Sequence, residues 1–261
     1  MNNTPIAVAL EKRLRRCRNV LTLGVRPNFS DYGPEDVQRI LAAPRIYYPS
    51  AFYAGLFDAL GKPTFPSYHN YKCAQDKIRQ STLFAMAGIP HPKTRFFYGK
   101  RQKGRIGEFF DFPLVGKIPR GSSMGRGVFL LKDKSALDAY CERTHVAYIQ
   151  EYLPIDRDIR VVVIGRKAVH AYWRIAPPGS FYTNISAGGR VGEDAVPRAA
   201  VELAERTARR CGWDDVGIDI CRVHGEYYVL EGNMKYGKQG FAHFGMDYDR
   251  LMEKMIEDGR I

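Results

Sequence analysis

The stretch from Gly217 to Asn233 constrains the fold more than any other part of this chain. Two short apolar runs, Gly217-Ile-Asp-Ile-Cys and Tyr227-Tyr-Val-Leu, flank the turn Arg222-Val-His-Gly225. Read as a β-hairpin, they bring Asp219 beside Glu231, and the two-residue period of a strand puts Glu231 and Asn233 on one face. Three converging oxygen donors are what Mg²⁺ requires, with phosphate oxygens and water completing its shell. The competing reading is a hairpin carrying two solvated acids. Apolar strands rarely end in converging acids without a partner, so Asp219, Glu231 and Asn233 are the candidate metal ligands.

The chain has 261 residues, 45% of them hydrophobic, enough to bury one large domain or two small ones. Its five cysteines are scattered and form no Cys-x-x-Cys pair, which argues for a reducing compartment and against structural zinc or a disulfide framework. The N-terminal apolar stretch is too short for a signal core and no run approaches a membrane span, so the default expectation is a cytoplasmic protein with no membrane partner. The formal charge of +12 is spread along the sequence. No nucleic-acid motif accompanies it; the cations either serve anionic ligands such as nucleotide phosphates, carboxylates or an acidic partner protein, or, for most of the exposed charge, simply keep the protein soluble.

Patterning predicts an α+β fold. Residues 1–72 read as a small α/β unit, with a basic, helical or frayed start, strands at Asn19–Gly24 and Arg45–Tyr48, and a helix from Pro49 to Leu60. A helix starts at Asp76-Lys77 and ends at Gly88. Strands follow at Thr94–Tyr98, Phe112–Ile118, Val128–Leu131 and Ala147–Leu153, with a helix at Lys134–Arg143. Ile159–Ile164 and Lys167–Arg174 read as a tight hairpin, Pro197–Cys211 as a long amphipathic helix and Tyr248–Ile256 as the last helix. The expected division is 1–72, 73–153 and 154–261.

Between the second pair of strands lies Pro119-Arg-Gly121-Ser122-Ser123-Met-Gly125-Arg-Gly127. A glycine- and serine-rich loop can wrap a phosphate with backbone amides, although it lacks the Gly-Lys-Ser/Thr of a Walker loop. Lys117 precedes it inside a buried strand, where an ammonium needs a phosphate or a structural carboxylate. Lys77 sits at a helix start, where a cation is disfavoured unless an anion is near or the side chain is exposed. Gln150-Glu151-Tyr152-Leu153 can offer backbone groups to a purine edge, with Asp158 able to accept from a ribose. Asp158 and Arg160 share a face. Arg174 and Asn184 flank a Pro/Gly loop, and Arg174 is placed to clamp a transition state. Plain surface solvation is the alternative for each.

In this order the pieces resemble the ATP-grasp enzymes, most closely the RimK-like carboxylate–amine ligases. The resemblance runs from about Asp76 to Ile256 and is carried by Asp76-Lys77, Pro-Leu-Val-Gly-Lys117, the loop Gly-Ser-Ser-Met-Gly-Arg-Gly-Val, Gln-Glu151-Tyr, Asp158-Ile-Arg160, Arg174, Asn184 with Gly188-Gly189, Gly-Ile-Asp219 and Glu231-Gly-Asn233. It implies two α+β lobes gripping ATP behind a small N-terminal α/β domain. Lys77 and Lys117 would hold the ATP phosphates, Glu151 and its neighbours the adenine, Asp158 the ribose. Asp219, Glu231 and Asn233 would hold two Mg²⁺ ions, with Mn²⁺ as a substitute. Arg160, Arg174 and Asn184 would contact phosphates and the reacting carboxylate. The implied reaction phosphorylates a carboxylate from ATP, and an amine then displaces the phosphate to give an amide. An ATP-grasp kinase, or a non-catalytic ATP-binding module, is the alternative.

Two departures stand out. After Asn233, where the family usually has small residues and a proline–glycine turn, the chain reads Met234-Lys-Tyr-Gly237-Lys-Gln-Gly-Phe241, and Tyr182 replaces a residue that is often basic. Lys235 and Lys238 therefore favour an acidic acceptor, such as an acidic peptide or carrier protein, while the acid and amine themselves stay open. A homo-oligomer is implied by resemblance alone.

Overall fold

The computed structural model describes residues 7–121, 127–180, 183 and 188–261. Three sheets follow one another along the chain. The first is parallel, in the order β2-β1-β3-β4, from β1 (Ala7–Ala9), β2 (Val20–Thr22), β3 (Ile46–Tyr47) and β4 (Thr64–Phe65). Helices α1 (Pro34–Ala42) and α2 (Ser50–Ala59) connect its later strands. The basic start was expected to be helical or frayed. It instead contains the central strand β1, followed by a single 3₁₀ turn at Lys12–Leu14, because three residues are too few for a periodic signal.

Helices α3 (Tyr68–Cys73) and α4 (Lys77–Met86) lead to the second sheet. Asp76 caps α4 by accepting from the Arg79 N–H at 3.0 Å, and Gly88 leaves it in a left-handed conformation at φ 60°. The second sheet is antiparallel, β5-β8-β6-β7, with β5 (Thr94–Tyr98), β6 (Leu114–Lys117), β7 (Val128–Leu131) and β8 (Val146–Glu151). Helices α5 (Gly99–Lys103) and α6 (Lys134–Arg143) lie in its connections. As expected, β6 and β7 form a hairpin, with Lys117 opposite Val128.

The third sheet has the order β11-β10-β9-β12-β13 and contains β9 (Arg157–Ile164), β10 (Lys167–Ile175), β11 (Arg190–Gly192), β12 (Asp215–Val223) and β13 (Glu226–Asn233). Gly165 and Arg166, at φ 58° and 71°, make the two-residue turn between β9 and β10, and His224 and Gly225, at φ 51° and 89°, make the one between β12 and β13. Such turns match the twist of the strands they join. On one face Ile159, Val161 and Val163 pack under α7 (Arg198–Cys211), whose Ala200, Leu203, Ala204 and Ala208 form the expected helical stripe. On the other face Val162 and Ile164 pack with the first sheet and with α8 (Gln239–His243) and α9 (Tyr248–Glu257). This central strand, buried on both sides, fixes where the charged residues at its other end must lie. Among the described residues no helix is long and apolar enough to cross a membrane.

Candidate active site

Cross-strand register places two arginine–carboxylate pairs and a further carboxylate at one end of the third sheet. Arg174 of β10 stands opposite Asp158 of β9, Arg160 of β9 opposite Asp219 of β12, and Asp219 opposite Glu231 of β13. Arg174 grips Asp158 side-on, Nε to Oδ1 at 2.7 Å and Nη2 to Oδ2 at 2.6 Å, and its Nη2 also meets Asp219 Oδ2 at 3.0 Å. Arg160 grips Asp219 the same way through Nε and Nη2. All four side chains are buried. Two-pronged geometry and mutual neutralisation are what make such burial tolerable. Burial by itself would raise Asp219, but the guanidinium groups of Arg160 and Arg174 override it and hold the carboxyl below its ordinary value. Gly217 is part of this arrangement, because a Cβ there would lie 2.9 Å from Cδ of Arg160 and from Cβ of Tyr236.

The hairpin brings together the three residues singled out as metal ligands. Asn233 Nδ2 donates to Asp219 Oδ2 at 2.9 Å, and Glu231 accepts an ion pair from Lys77 Nζ at 3.3 Å. Lys77 is buried, so its position at a helix start is met by an anion rather than by exposure. A register shift just beyond Asp219–Glu231 inserts Leu230 as an extra residue, which turns the end of β13 relative to a regular hairpin. Among the described residues no three His, Cys, Asp or Glu side chains cluster as a metal site. The donor set therefore depends on the Asn233 amide. Two carboxylates and an amide oxygen are hard donors, and their chemistry fits Mg²⁺.

Lys117 is buried at the end of β6, its amine 5.7 Å over the Tyr148 ring. Burial pushes it down to about 8, against the opposing pull of Glu231. One cavity is lined by Lys117, Gln150, Glu151, Asp158, Arg174, Asp219 and Glu231, with Val115, Val128, Leu153 and Leu230 as its apolar wall. Glu151 accepts from the Lys93 N–H at 2.6 Å, and Tyr152 beside it is half-buried. The base of the glycine-rich loop is tied to the start of α4. The Lys77 N–H donates to Pro119 O at 2.9 Å, the Gly121 N–H to Gln75 O at 3.2 Å, and Arg120 pairs with Asp76 at 3.0 Å. Gly121 itself has φ 67° and is exposed. Ser122, Ser123, Gly125, Tyr182 and Asn184 lie outside the described residues.

Two expectations meet a different geometry. Asp158, expected at a ribose, accepts from Arg174 through both oxygens and from Thr183 Oγ1 at 2.7 Å, contacts that hold the Arg174 guanidinium in place. Lys238, assigned to substrate charge, pairs with Asp249 at 2.7 Å and lies 4.1 Å over the Tyr248 ring, while Lys235 is exposed. Arg13 belongs to no motif in the sequence. It lines a cavity of about 270 Å³ with Lys12, Met234 and Lys235, and another of about 320 Å³ with Lys12, Arg15, Arg16 and Lys238. Its Nε donates to Tyr248 Oη at 3.0 Å and its Nη1 to Tyr236 O at 3.2 Å, while the buried Nη2 has no hydrogen-bond partner among the described residues. The only signal in the sequence was the density of cations from Lys12 to Arg18.

Comparison with known proteins gives this geometry a family. The sequence model of the RimK-like ATP-grasp domain matches residues 74–256. A probable alpha-L-glutamate ligase of Serratia proteamaculans is 30% identical over 230 residues, covering 83% of this chain and 76% of the relative. A ribosomal protein bS6–L-glutamate ligase of Escherichia fergusonii is 30% identical over 226 residues, covering 82% and 75%. The ATP-grasp ligase PsnB, solved with a minimal precursor, Mg and ADP, superposes with a TM-score of 0.71 at 17% identity, covering 97% of each chain, and so supports the fold. The chain belongs to the RimK-like ATP-grasp family and is an ATP-dependent ligase that forms carbon–nitrogen bonds.

Proposed function

We propose that the cavity between the second and third sheets binds ATP and activates a substrate carboxylate as its acylphosphate, which an acidic amino acid then converts to an amide. The observation that carries this reading is the convergence on one cavity of Lys117, Arg174, Asp158, Asp219 and Glu231, with Lys77 on Glu231. The end of β8 from Gln150 to Leu153 serves the adenine, and Lys77, Lys117 and the loop after Gly121 serve the phosphates. Asp219, Glu231 and Asn233 would hold one or two Mg²⁺ ions, which when bound neutralise phosphate charge. Arg174, oriented by Asp158 and Thr183, and Arg160 face the transferring phosphoryl group, supplying fixed positive charge where negative charge gathers. The carboxylate oxygen attacks the terminal phosphorus and ADP leaves. The amine nitrogen attacks the acyl carbon, phosphate leaves, and the nitrogen loses a proton.

The carboxylate substrate is read as an acidic peptide or carrier protein and the amine as glutamate. The two cavities that meet at Arg13 support this, since Lys12, Arg13, Arg15, Arg16, Lys235 and Lys238 outnumber Glu11 and Asp249 in their walls, and Met234 and Lys235 follow Asn233 directly. The relatives' names, alpha-L-glutamate ligase and bS6–L-glutamate ligase, agree in chemistry. The test is Lys12→Glu combined with Lys235→Glu, assayed by ADP release with glutamate and acidic peptides. The KM for the peptide should rise at least about tenfold while that for ATP holds. An unchanged peptide KM would rule out the acidic acceptor. A stable phosphorylated product without free phosphate would favour a kinase instead.

A further inference from the structure

Strand β13 lies at the edge of its sheet, and an edge strand leaves backbone groups without a neighbouring strand. At Gly232, between Glu231 and Asn233, one side chain fills that role. The Gly232 N–H donates to Gln80 Oε1 at 2.9 Å, and Gln80 Nε2 donates back to Gly232 O at 2.9 Å. The same Nε2 donates to Cys73 O at 3.0 Å, which fixes the amide's orientation. Gln80 is 2% exposed, so water cannot substitute for it. It lies one helical turn beyond Lys77, and Lys77 pairs with Glu231. Helix α4 therefore holds two consecutive residues of β13, one by its side chain and the next by its backbone. On β13 itself Gly232 admits no side chain, since a Cβ would lie 2.6 Å from the Trp213 ring.

We infer that Gln80 is a positioning residue for the metal donors: by pairing with the Gly232 backbone it fixes the direction in which Glu231 and Asn233 project. The inference rests on the proposed metal role of those two residues. Groups that orient metal ligands without touching the metal commonly contribute tenfold or more to its affinity. The effect should appear in metal binding and not in binding of the nucleotide alone.

The experiment is a titration of the full chain with Mn²⁺ in the presence of the non-hydrolysable ATP analogue AMPPNP, reading free Mn²⁺ by electron paramagnetic resonance. Gln80→Ala, and Gln80→Glu in case the alanine variant does not fold, are compared with the unaltered protein and with Glu231→Gln. Each Gln80 variant that keeps the native circular dichroism should weaken Mn²⁺ about tenfold, with metal-free AMPPNP affinity within about twofold. Unaltered Mn²⁺ affinity in a folded Gln80 variant, with Glu231→Gln weakened, would overturn the positioning role alone. Unaltered affinity in Glu231→Gln would overturn the metal assignment and this inference with it. Equal losses of Mn²⁺ and of metal-free AMPPNP would mark Gln80 as merely structural and overturn the claim.

Discussion

Lys117 is the side chain whose charge the fold resists most plainly. Burial brings it from 10.5 down to about 8. The charged form is thus penalised in the folded chain at every pH below about 8, and the penalty fades as pH rises from there toward the unfolded value. A bound polyphosphate reverses the preference, because it favours the ammonium. ATP affinity should therefore be flat below pH 8 and fall by up to about tenfold per unit above it. Lys117→Arg, which stays charged, should flatten that profile in a pH series of ATP titrations; an unchanged break near pH 8 would detach it from Lys117. Asp158 gives a second expectation. Asp158→Asn leaves Arg174 facing an amide, so kcat should fall by roughly a hundredfold with little change in the KM for ATP, and the melting temperature should drop as a buried ion pair is broken. Steady-state kinetics with a thermal melt decides it.

At the scale of elements, the β12–β13 hairpin depends on close approach. Gly217→Ala would push a methyl into Arg160 and Tyr236. It should cost about 1–3 kcal/mol in denaturant unfolding and weaken turnover as well, because Arg160 can no longer lie flat toward Asp219. Full stability with full activity would mean that the neighbours yield freely. This hairpin was legible in the sequence because apolar runs, turn residues and acids coincide there, but a regular hairpin about His224-Gly225 would set Asp219 opposite Leu230, and it is a bulge that brings Glu231 into that place. The extra residue Leu230 was not legible, since a bulge has no local signature in Tyr-Tyr-Val-Leu. Nor were Gln80 and Thr183, whose importance lies in partners distant in the chain. Helix α4 could be placed by Asp76 and Gly88, but nothing in it announced that its third turnward polar residue faces an edge strand.

At the scale of the molecule, the first sheet is fastened to the third through a buried acid that sequence patterning passed over. Asp215, at the start of β12, accepts from Tyr48 at 2.7 Å and from Tyr236 at 2.5 Å, while Asn70 donates to its backbone carbonyl at 2.7 Å. Burial raises its carboxyl above the ordinary value, with Arg13 and the two hydroxyls pulling the other way. Tyr236 belongs to the segment after Asn233 that departs from the family pattern, so part of that departure is structural. Asp215→Ala strands two buried hydroxyls and should lower stability by about 3 kcal/mol, roughly 6–12 °C in melting temperature. A double-mutant cycle with Tyr48→Phe should show the coupling, and strict additivity would deny it.

Coupling of ATP cleavage to amide formation through an acylphosphate is the property on which the roles of all these residues depend. Phosphorus NMR of the protein with Mg-ATP, glutamate and an acidic peptide, with mass spectrometry of the peptide, tests it most directly. ADP, free phosphate and peptide-borne glutamate should appear in equal amounts, all lost in Glu231→Gln. ADP accompanied by a stable phosphorylated peptide, with no phosphate released and no glutamate added, would contradict it.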